Sequence, residues 1–281
     1  MKFSILLKKN LYLLRPLLLF VSVFSSLHTS AQDKSFALGI TGGMGNMFVR
    51  DQVFNTYLYK AKVVPIGFHF ESRKTNQKAT FNLEFFNSPV FETETNKGLE
   101  YKGDLGDFYS TEQDGYTISN LKSKLWNFNY TQLFLLQKTR EKKIQFYMGF
   151  DLNLIKFQKE FLQFAYINTL TDRIYTLGLV FNLERKFNEK HLLMYNLSIP
   201  VFSNTKRTLY NPDSDPSSIK SSAYGALSKC VGLDSRITYQ YMLSRKFSLR
   251  ASFICRYMRV SFPATEKWFI SQGELGLFLH L

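Results

Sequence analysis

Charged and amide side chains alternate with apolar ones along much of this sequence, and they are the residues with the most obvious chemistry. The candidates for one shared cluster are Glu84, Asn129, Asp151, Asp234, Arg236, Arg256 and Glu274. Guanidinium and carboxylate groups held close together can bind an anionic solute, form a selective constriction, or pair with one another and fill an interior. We favour the pairing role and keep a path for a small solute as the alternative.

Histidine is the side chain best suited to general-base chemistry at neutral pH. His69, His191 and His280 are scattered along the sequence and fall toward the same end of the fold predicted below. None of them stands at a metal-ligand spacing, and the acidic stretch 92–114 does not have the spacing of a calcium loop. We therefore expect no enzymatic activity, no metal and no cofactor.

The first residues have the pattern of an export signal. Basic residues between Lys2 and Arg15 precede a short apolar run, 16–24, and small and polar residues follow it. This order is typical of a secretory signal peptide, and the run is shorter than the roughly 20 residues that a spanning helix needs. We predict that 1–31 is cleaved and that 32–281 forms a single domain; an uncleaved membrane anchor is the alternative.

The chain is basic, with Lys+Arg 36 against Asp+Glu 22 and a formal net charge of +14. A basic chain can bind nucleic acid, but the positive charge here is concentrated in short turns, and no nucleic-acid motif is present. We therefore expect no nucleic-acid partner. An anionic membrane surface is the partner that the charge favours.

Apolar and polar residues alternate with a period of two in a series of segments, which is typical of β-strands. Each segment reaches the roughly 9–11 residues that a tilted transmembrane strand needs. We predict an all-β fold of about ten strands, with 8–12 as the range. The segments are about 35–50, 57–73, 78–90, 119–137, 143–158, 173–184, 191–202, 229–243, 249–261 and 268–281. Pro65 interrupts the second segment, where we expect a bulge or a later strand start.

The connections between these segments alternate in length. The second, fourth, sixth and eighth are short and basic, whereas the third, fifth and seventh are long and polar. Short turns at one end and long connections at the other are typical of a single up-and-down antiparallel transmembrane β-barrel. An even number of strands places both termini at the short-turn end.

Apolar residues keep the same side of each segment from turn to turn. In the fifth segment Phe146, Phe150 and Leu154 share one face, while Asp151 and Asn153 take the other. The last segment ends with Leu residues at every odd position from Leu275. We predict that the apolar face points outward to lipid and that the polar face points into the barrel, the reverse of a soluble barrel.

Pairing the predicted hairpins gives specific neighbours for the polar cluster. Arg236 is expected beside Arg256, Arg256 beside Glu274, and Asn129 opposite Asp151. Cys255 is expected opposite Leu275 on the outer face.

The two cysteines, Cys230 and Cys255, are expected on neighbouring strands but on opposite faces and at different heights. A disulfide requires closely spaced Cα atoms with converging side chains. We therefore predict free thiols.

Aromatic residues near the long-connection end of the strands form a predicted girdle at the membrane–water interface. Tyr and Trp favour that level because their rings combine an apolar body with a polar group. The predicted members are Trp126, Tyr175, Tyr257 and Trp268.

With its leader, its alternating hairpins and its final segment "GELGLFLHL", the mature chain resembles the bacterial outer-membrane β-barrel proteins. The resemblance implies location in the outer membrane of a Gram-negative bacterium after export. It also implies the barrel-assembly machinery as a partner, because that machinery recognises the last strand. Leu281 stands where Phe is more usual in these proteins.

These observations favour a non-enzymatic outer-membrane barrel in contact with outer-membrane lipids. It acts either as a narrow pore for a small solute or as a scaffold whose long outer connections engage a protein partner. An outer-membrane barrel enzyme that hydrolyses lipid or peptide is one alternative. A soluble periplasmic lipid-binding barrel is another.

Overall fold

A computed structural model describes residues 35–51, 59–93, 121–139, 143–161, 170–208, 220–226, 230–261 and 265–281. These residues form one 12-stranded antiparallel sheet. The strands are β1 Ser35–Asp51, β2 Tyr59–Val63, β3 Ile66–Lys74, β4 Gln77–Thr93, β5 Leu121–Thr139, β6 Ile144–Phe161, β7 Leu170–Lys186, β8 His191–Thr208, β9 Lys220–Ala226, β10 Cys230–Met242, β11 Phe247–Val260 and β12 Glu266–His280.

The sheet closes on itself because β1 pairs with β12 along almost its whole length, from Ala37 opposite His280 to Asp51 opposite Glu266. Strands β2 and β3 both pair with β1 and β4, and β9 and β10 both pair with β8. Each of these two pairs therefore serves as one strand of the wall. The result is the predicted closed, ten-stranded antiparallel barrel.

Alternation of side chains separates an apolar outer face from a mixed inner face. On β6, Leu152 is 47% exposed on the outside, whereas the neighbouring Asp151 is 2% exposed on the inside. On β12, Leu275 is 71% exposed, and Glu274 is buried. Because neighbouring residues of a strand point to opposite sides, the period-two pattern in the sequence specifies which residues enter the barrel.

The predicted segments correspond to the strands of the wall, and most strands extend beyond their predicted ends. The connections 75–76, 187–190 and 243–246 are short and lie at the end where β1 begins and β12 finishes. The strand ends that the long connections join lie at the opposite end, as predicted, whereas the connections 94–120, 162–169 and 209–219 are outside the described residues. Pro65 lies in the break between β2 and β3, so it interrupts the strand as expected, but the strand starts before it, at Tyr59, rather than after it. Among the described residues, no helix is long and apolar enough to cross a membrane.

The predicted cross-strand neighbours are wrong by an even number of residues. Arg256 lies opposite Asp234 and Ile270, rather than opposite Arg236 and Glu274. Asn129 lies opposite Asn153 rather than Asp151.

The partner predicted for Cys255 is also wrong, because this cysteine lies opposite Ser271 rather than Leu275. An even shift in pairing keeps every side chain on its correct face, so the alternation of the sequence cannot distinguish these registers.

The cysteines do not form a disulfide. Cys230 is buried inside the barrel, where its Sγ lies 3.1 Å from Sδ of Met258. Cys255 is half-buried on the outer face, opposite Ser235 and Ser271. This arrangement confirms the prediction of free thiols on opposite faces.

Candidate functional site

Arg256 is the centre of a buried ionic group at mid-height in the barrel. Its Nη1 lies 3.1 Å from Oε2 of Glu84, and its Nε lies 2.7 Å from Oδ2 of Asp234. Asp234 lies directly opposite Arg256 on the neighbouring strand β10, whereas Glu84 comes from β4, which does not pair with β11. The guanidinium therefore neutralises one carboxylate beside it and a second one from a non-adjacent strand.

An amide joins a third carboxylate to this group. Nε2 of Gln272 lies 2.5 Å from Oε1 of Glu84 and 2.8 Å from Oε1 of Glu274. Glu84, Asp234, Arg256, Gln272 and Glu274 are called the central network below. Gln272 was not among the predicted residues, although it shares the inward parity of Glu274 on β12.

Asp151 is the centre of a group of hydroxyl and amide side chains beside the central network. Its Oδ2 accepts hydrogen bonds from Ser198 Oγ at 2.6 Å, Asn153 Nδ2 at 2.9 Å and Asn129 Nδ2 at 3.4 Å. Asn129 also bonds Asn153 at 2.6 Å. Carboxylates that accept several hydrogen bonds inside a protein are held in a fixed orientation.

A polar cavity of about 90 Å³ separates the two groups. Asn129, Asp151, Asp234, Arg236 and Arg256 line it together with Glu84. The structure therefore brings together the residues singled out in the sequence, with Glu274 joined to them through Gln272. A cavity of this size holds a few water molecules rather than a large solute.

A second ionic group closes the barrel at the long-connection end. Nζ of Lys159 lies 2.5 Å from Asp51, 2.6 Å from Asp172 and 2.8 Å from Glu266. Arg207 contacts the same carboxylates at 2.9, 3.3 and 3.4 Å. All five side chains are 2% exposed or less, and Lys159 is 0% exposed. These residues are called the rim cluster.

The rim cluster was not predicted from the sequence, although each member occupies a position of its strand that alternates with the outward residues. The available signal was a charged residue just beyond the end of a predicted segment, next to a basic residue that points outward. Asp51 follows Arg50 in this way, and Glu266 precedes Lys267. Carboxylate oxygens of Asp51, Asp172 and Glu266 lie within 4.8 Å of one another. Lys159 supplies the cation for this carboxylate group.

An apolar layer lies between the rim cluster and the central network. Along β12 the inward residues from the long-connection end are Glu266, Trp268, Ile270, Gln272 and Glu274, in the order ionic, apolar and polar. The layer consists of Met47, Val49, Ala61, Val63, Phe86, Leu125, Ile155, Phe157, Ile174, Cys230, Met258, Val260, Trp268 and Ile270. Every member is 5% exposed or less.

A third ionic group fills the barrel near the short-turn end. Glu184 lies 2.9 Å from both Arg73 and Lys78, and Glu71 lies 3.0 Å from Arg250. The guanidinium of Arg250 also stacks 3.9 Å from the ring centroid of Phe278. The interior is thus bridged by charged pairs on both sides of the central cavity.

Three of the four residues predicted for the aromatic girdle lie on the outer face. Trp126 is 45% exposed there, and Tyr175 and Tyr257 are half-buried. The fourth assignment is wrong: Trp268 is 1% exposed and belongs to the apolar layer. Trp268 is an even number of residues from Glu274, and the pairing of β12 with β1 is continuous between the two. Its indole therefore points inward, as Glu274 does. Its neighbour Phe269 takes the outer position.

The described histidines lie away from the long-connection end. His191 begins β8 and His280 ends β12, both at the short-turn end. His69 points into the barrel, where its ring nitrogens bond Thr41 at 2.9 Å and Asn82 at 2.7 Å. None of the three lies beside the rim cluster.

None of the protein-family models matches the sequence. Comparison with curated protein sequences gives no match either. Among solved structures, the outer membrane protease OmpT from Escherichia coli matches with a TM-score of 0.52 at 7% sequence identity, covering 90% of this chain and 98% of that chain. Neisserial surface protein A matches with a TM-score of 0.37 at 8% identity, covering 87% of this chain and 96% of that chain. The chain has the fold of the bacterial outer-membrane β-barrels.

Proposed function

We propose that this chain is a closed, non-enzymatic barrel of the outer membrane that acts as a scaffold for its long outer connections. The apolar outer face, the filled interior and the fold shared with OmpT support this proposal. The segments 94–120 and 209–219 join strands at the long-connection end, and we expect a protein partner to bind there.

The distribution of polar groups favours a membrane over a soluble carrier. A soluble lipid-binding barrel keeps apolar side chains inside and polar ones outside. Here the inner face contains three buried ionic groups, whereas Leu152, Leu275 and Leu277 are among the exposed residues of the outer face. Large contiguous apolar surfaces are rare on soluble monomers, and lipid accommodates them.

The apolar layer is the single observation that favours a scaffold over a pore. If a water-filled channel passed through this layer, the residues that line it would be exposed to solvent. Instead, Phe157, Trp268 and the other members are 5% exposed or less. An ion crossing the layer would have to leave water among these tightly packed apolar side chains, which is energetically costly.

A protease activity like that named for OmpT is the second candidate, and the rim argues against it. Proteolysis at the outer surface needs a titratable group free to exchange protons with a substrate or with water. Of the carboxylates at that end, those whose surroundings are described, Asp51, Asp172 and Glu266, are buried and paired with Lys159 and Arg207. The described histidines lie elsewhere in the barrel.

Conductance across planar lipid bilayers tests the closed barrel. We expect the folded full-length chain to give no single-channel steps, because the apolar layer excludes ions. An open porin, reconstituted under the same conditions, is the positive control. Regular conductance steps from the purified chain would contradict the closed interior and favour the narrow pore.

A further inference from the structure

Three basic side chains stand in one row on the outer face near the long-connection end. Arg50 on β1 lies directly opposite Lys267 on β12, and Lys267 lies directly opposite Arg259 on β11. All three are exposed. Three adjacent strands thus present one positive charge each at the same level of the wall.

A second row of the same kind lies on another part of the wall. Lys156 on β6 lies opposite Arg173 on β7, and Arg173 lies opposite Lys206 on β8. Arg173 and Lys206 are exposed, and Lys156 is half-buried. The two groups of three residues are called the basic rows.

Like charges directly opposite on neighbouring strands destabilise a sheet. Side chains in such pairs have Cβ atoms only about 4.5–5.5 Å apart. Among the strand residues whose side-chain surroundings the structure describes, the acidic ones, such as Asp51, Asp172 and Glu266, point into the barrel and so do not offset this repulsion. The basic rows therefore favour an anion from outside the protein.

Aromatic residues show where these rows lie relative to a bilayer. The next outward residue on each of the three strands of the first row, toward the apolar band, is aromatic. These residues are Phe48, Phe269 and Tyr257, and Phe269 lies directly opposite both of the others. Tyr175 occupies that position below Arg173, and Trp126 lies opposite Lys156. Because aromatic rings favour the membrane–water interface, the basic rows fall at the level of the lipid headgroups.

We propose that the two basic rows bind the phosphate groups of anionic lipids in the leaflet at the long-connection end. This inference rests on the proposed membrane location and adds the residues, the lipid chemistry and the level of binding. The positive charges of each row attract the negative lipid headgroup. The outward aromatic residues lie next to the row, toward the apolar band, and contact the acyl chains of the same lipid. The barrel thereby selects anionic lipids for its immediate surroundings.

Trp126 provides a direct measurement, because it is on the outer face beside Lys156. The folded full-length chain is reconstituted into bilayers that contain brominated phosphatidylglycerol or brominated phosphatidylcholine, and quenching of tryptophan fluorescence is compared. Trp268, buried in the interior, contributes a constant background. We expect brominated phosphatidylglycerol to be preferred at Trp126 by about fivefold or more, since each basic residue near an anionic surface contributes favourably.

The variant K156Q/R173Q/K206Q should lose this preference and bind the two lipids about equally. The matched control R185Q/K186Q/K190Q removes the same formal charge at the short-turn end and should keep the preference. A heat-modifiable gel shift verifies that each protein is folded. Equal quenching by both lipids in the parent chain overturns the proposal, as does an equal loss of preference in both variants. The conductance result is independent of either outcome.

Discussion

Replacing Lys159 with Met is expected to destabilise the folded barrel by about 3–5 kcal/mol, because the change leaves buried carboxylates without their main counter-charge. Lys159 contacts Asp51, Asp172 and Glu266 within 2.8 Å and is 0% exposed. In the variant, Arg207 is the basic side chain that still contacts all three carboxyl groups. Urea titration in lipid vesicles, with the folded fraction read from the heat-modifiable gel shift, measures the free energy of unfolding.

Lys124→Met on the neighbouring strand β5 is the matched control for this change. Lys124 is exposed on the outer face and belongs to neither basic row, so its loss should change the free energy of unfolding by no more than about 0.5 kcal/mol. Adding Asp172→Asn to Lys159→Met should recover part of the lost stability, because one unpaired carboxylate is removed. If Lys159→Met and Lys124→Met have equal effects, the rim cluster is not a buried ionic group.

Arg256→Met is the second substitution with a large expected effect, again about 3–5 kcal/mol of lost stability. The change removes the only guanidinium bonded to both Glu84 and Asp234 within the described residues. Glu84 is buried and already shares Gln272 with Glu274. The same urea titration applies.

Arg245→Met provides the comparison, since Arg245 is exposed in the short connection 243–246 and belongs to neither basic row. We expect it to leave the unfolding midpoint nearly unchanged, as is usual for exposed positions. Combining Arg256→Met with Glu84→Gln should restore stability relative to Arg256→Met alone. A stable Arg256→Met barrel would mean that water reaches Glu84, contrary to its burial in the structure.

The barrel could be predicted because the sequence indicates which residues of each strand point outward and which point inward. In β6, Phe150 and Leu152 alternate with Asp151 and Asn153, which places the apolar residues on one face of the wall and the polar residues on the other. The alternation of short and long connections then determines the order of the strands. Both signals are local, so they can be read without knowing which strands pair.

The register between strands was not predictable from the same pattern. Shifting β11 against β12 by four residues moves Arg256 from Ile270 to Glu274, and both partners have inward parity. Turn lengths and bulges decide between these arrangements. The bulge between Leu135 and Gln137, for example, changes the pairing of β5 with β6. Asn129 still reaches Asp151 across the β5–β6 hairpin at 3.4 Å, whereas Arg256 is linked to Glu274 only through Glu84 and Gln272 among the contacts described.

The rim cluster was missed because the strands extend farther than expected at the long-connection end. Asp51 and Lys159 lie immediately after predicted segments, and Asp172 lies immediately before one. A charged residue at the end of an apolar run normally indicates the start of a solvated loop. Only the closed barrel shows that these charges from distant strands converge.

Trp268 was assigned to the wrong face of the barrel, because the prediction relied on its residue type and not on its position in the alternation of the strand. A tryptophan near a strand end suggests the interface, yet its even position places it on the inner face with Glu274. Its indole there fills the apolar layer that the proposed closed interior depends on. The girdle at that level is completed by Phe269 on the outside.

Site-directed spin labelling tests most directly whether lipid covers the apolar outer face. After replacement of Cys230 and Cys255 with Ala, single labels are placed at Leu152, Leu177 and Leu277, with Lys190 in a short turn as the aqueous control. In lipid vesicles, we predict that oxygen reaches the three apolar positions while a water-soluble nickel chelate reaches only Lys190. Access of the nickel chelate to all four positions would contradict a membrane-spanning barrel.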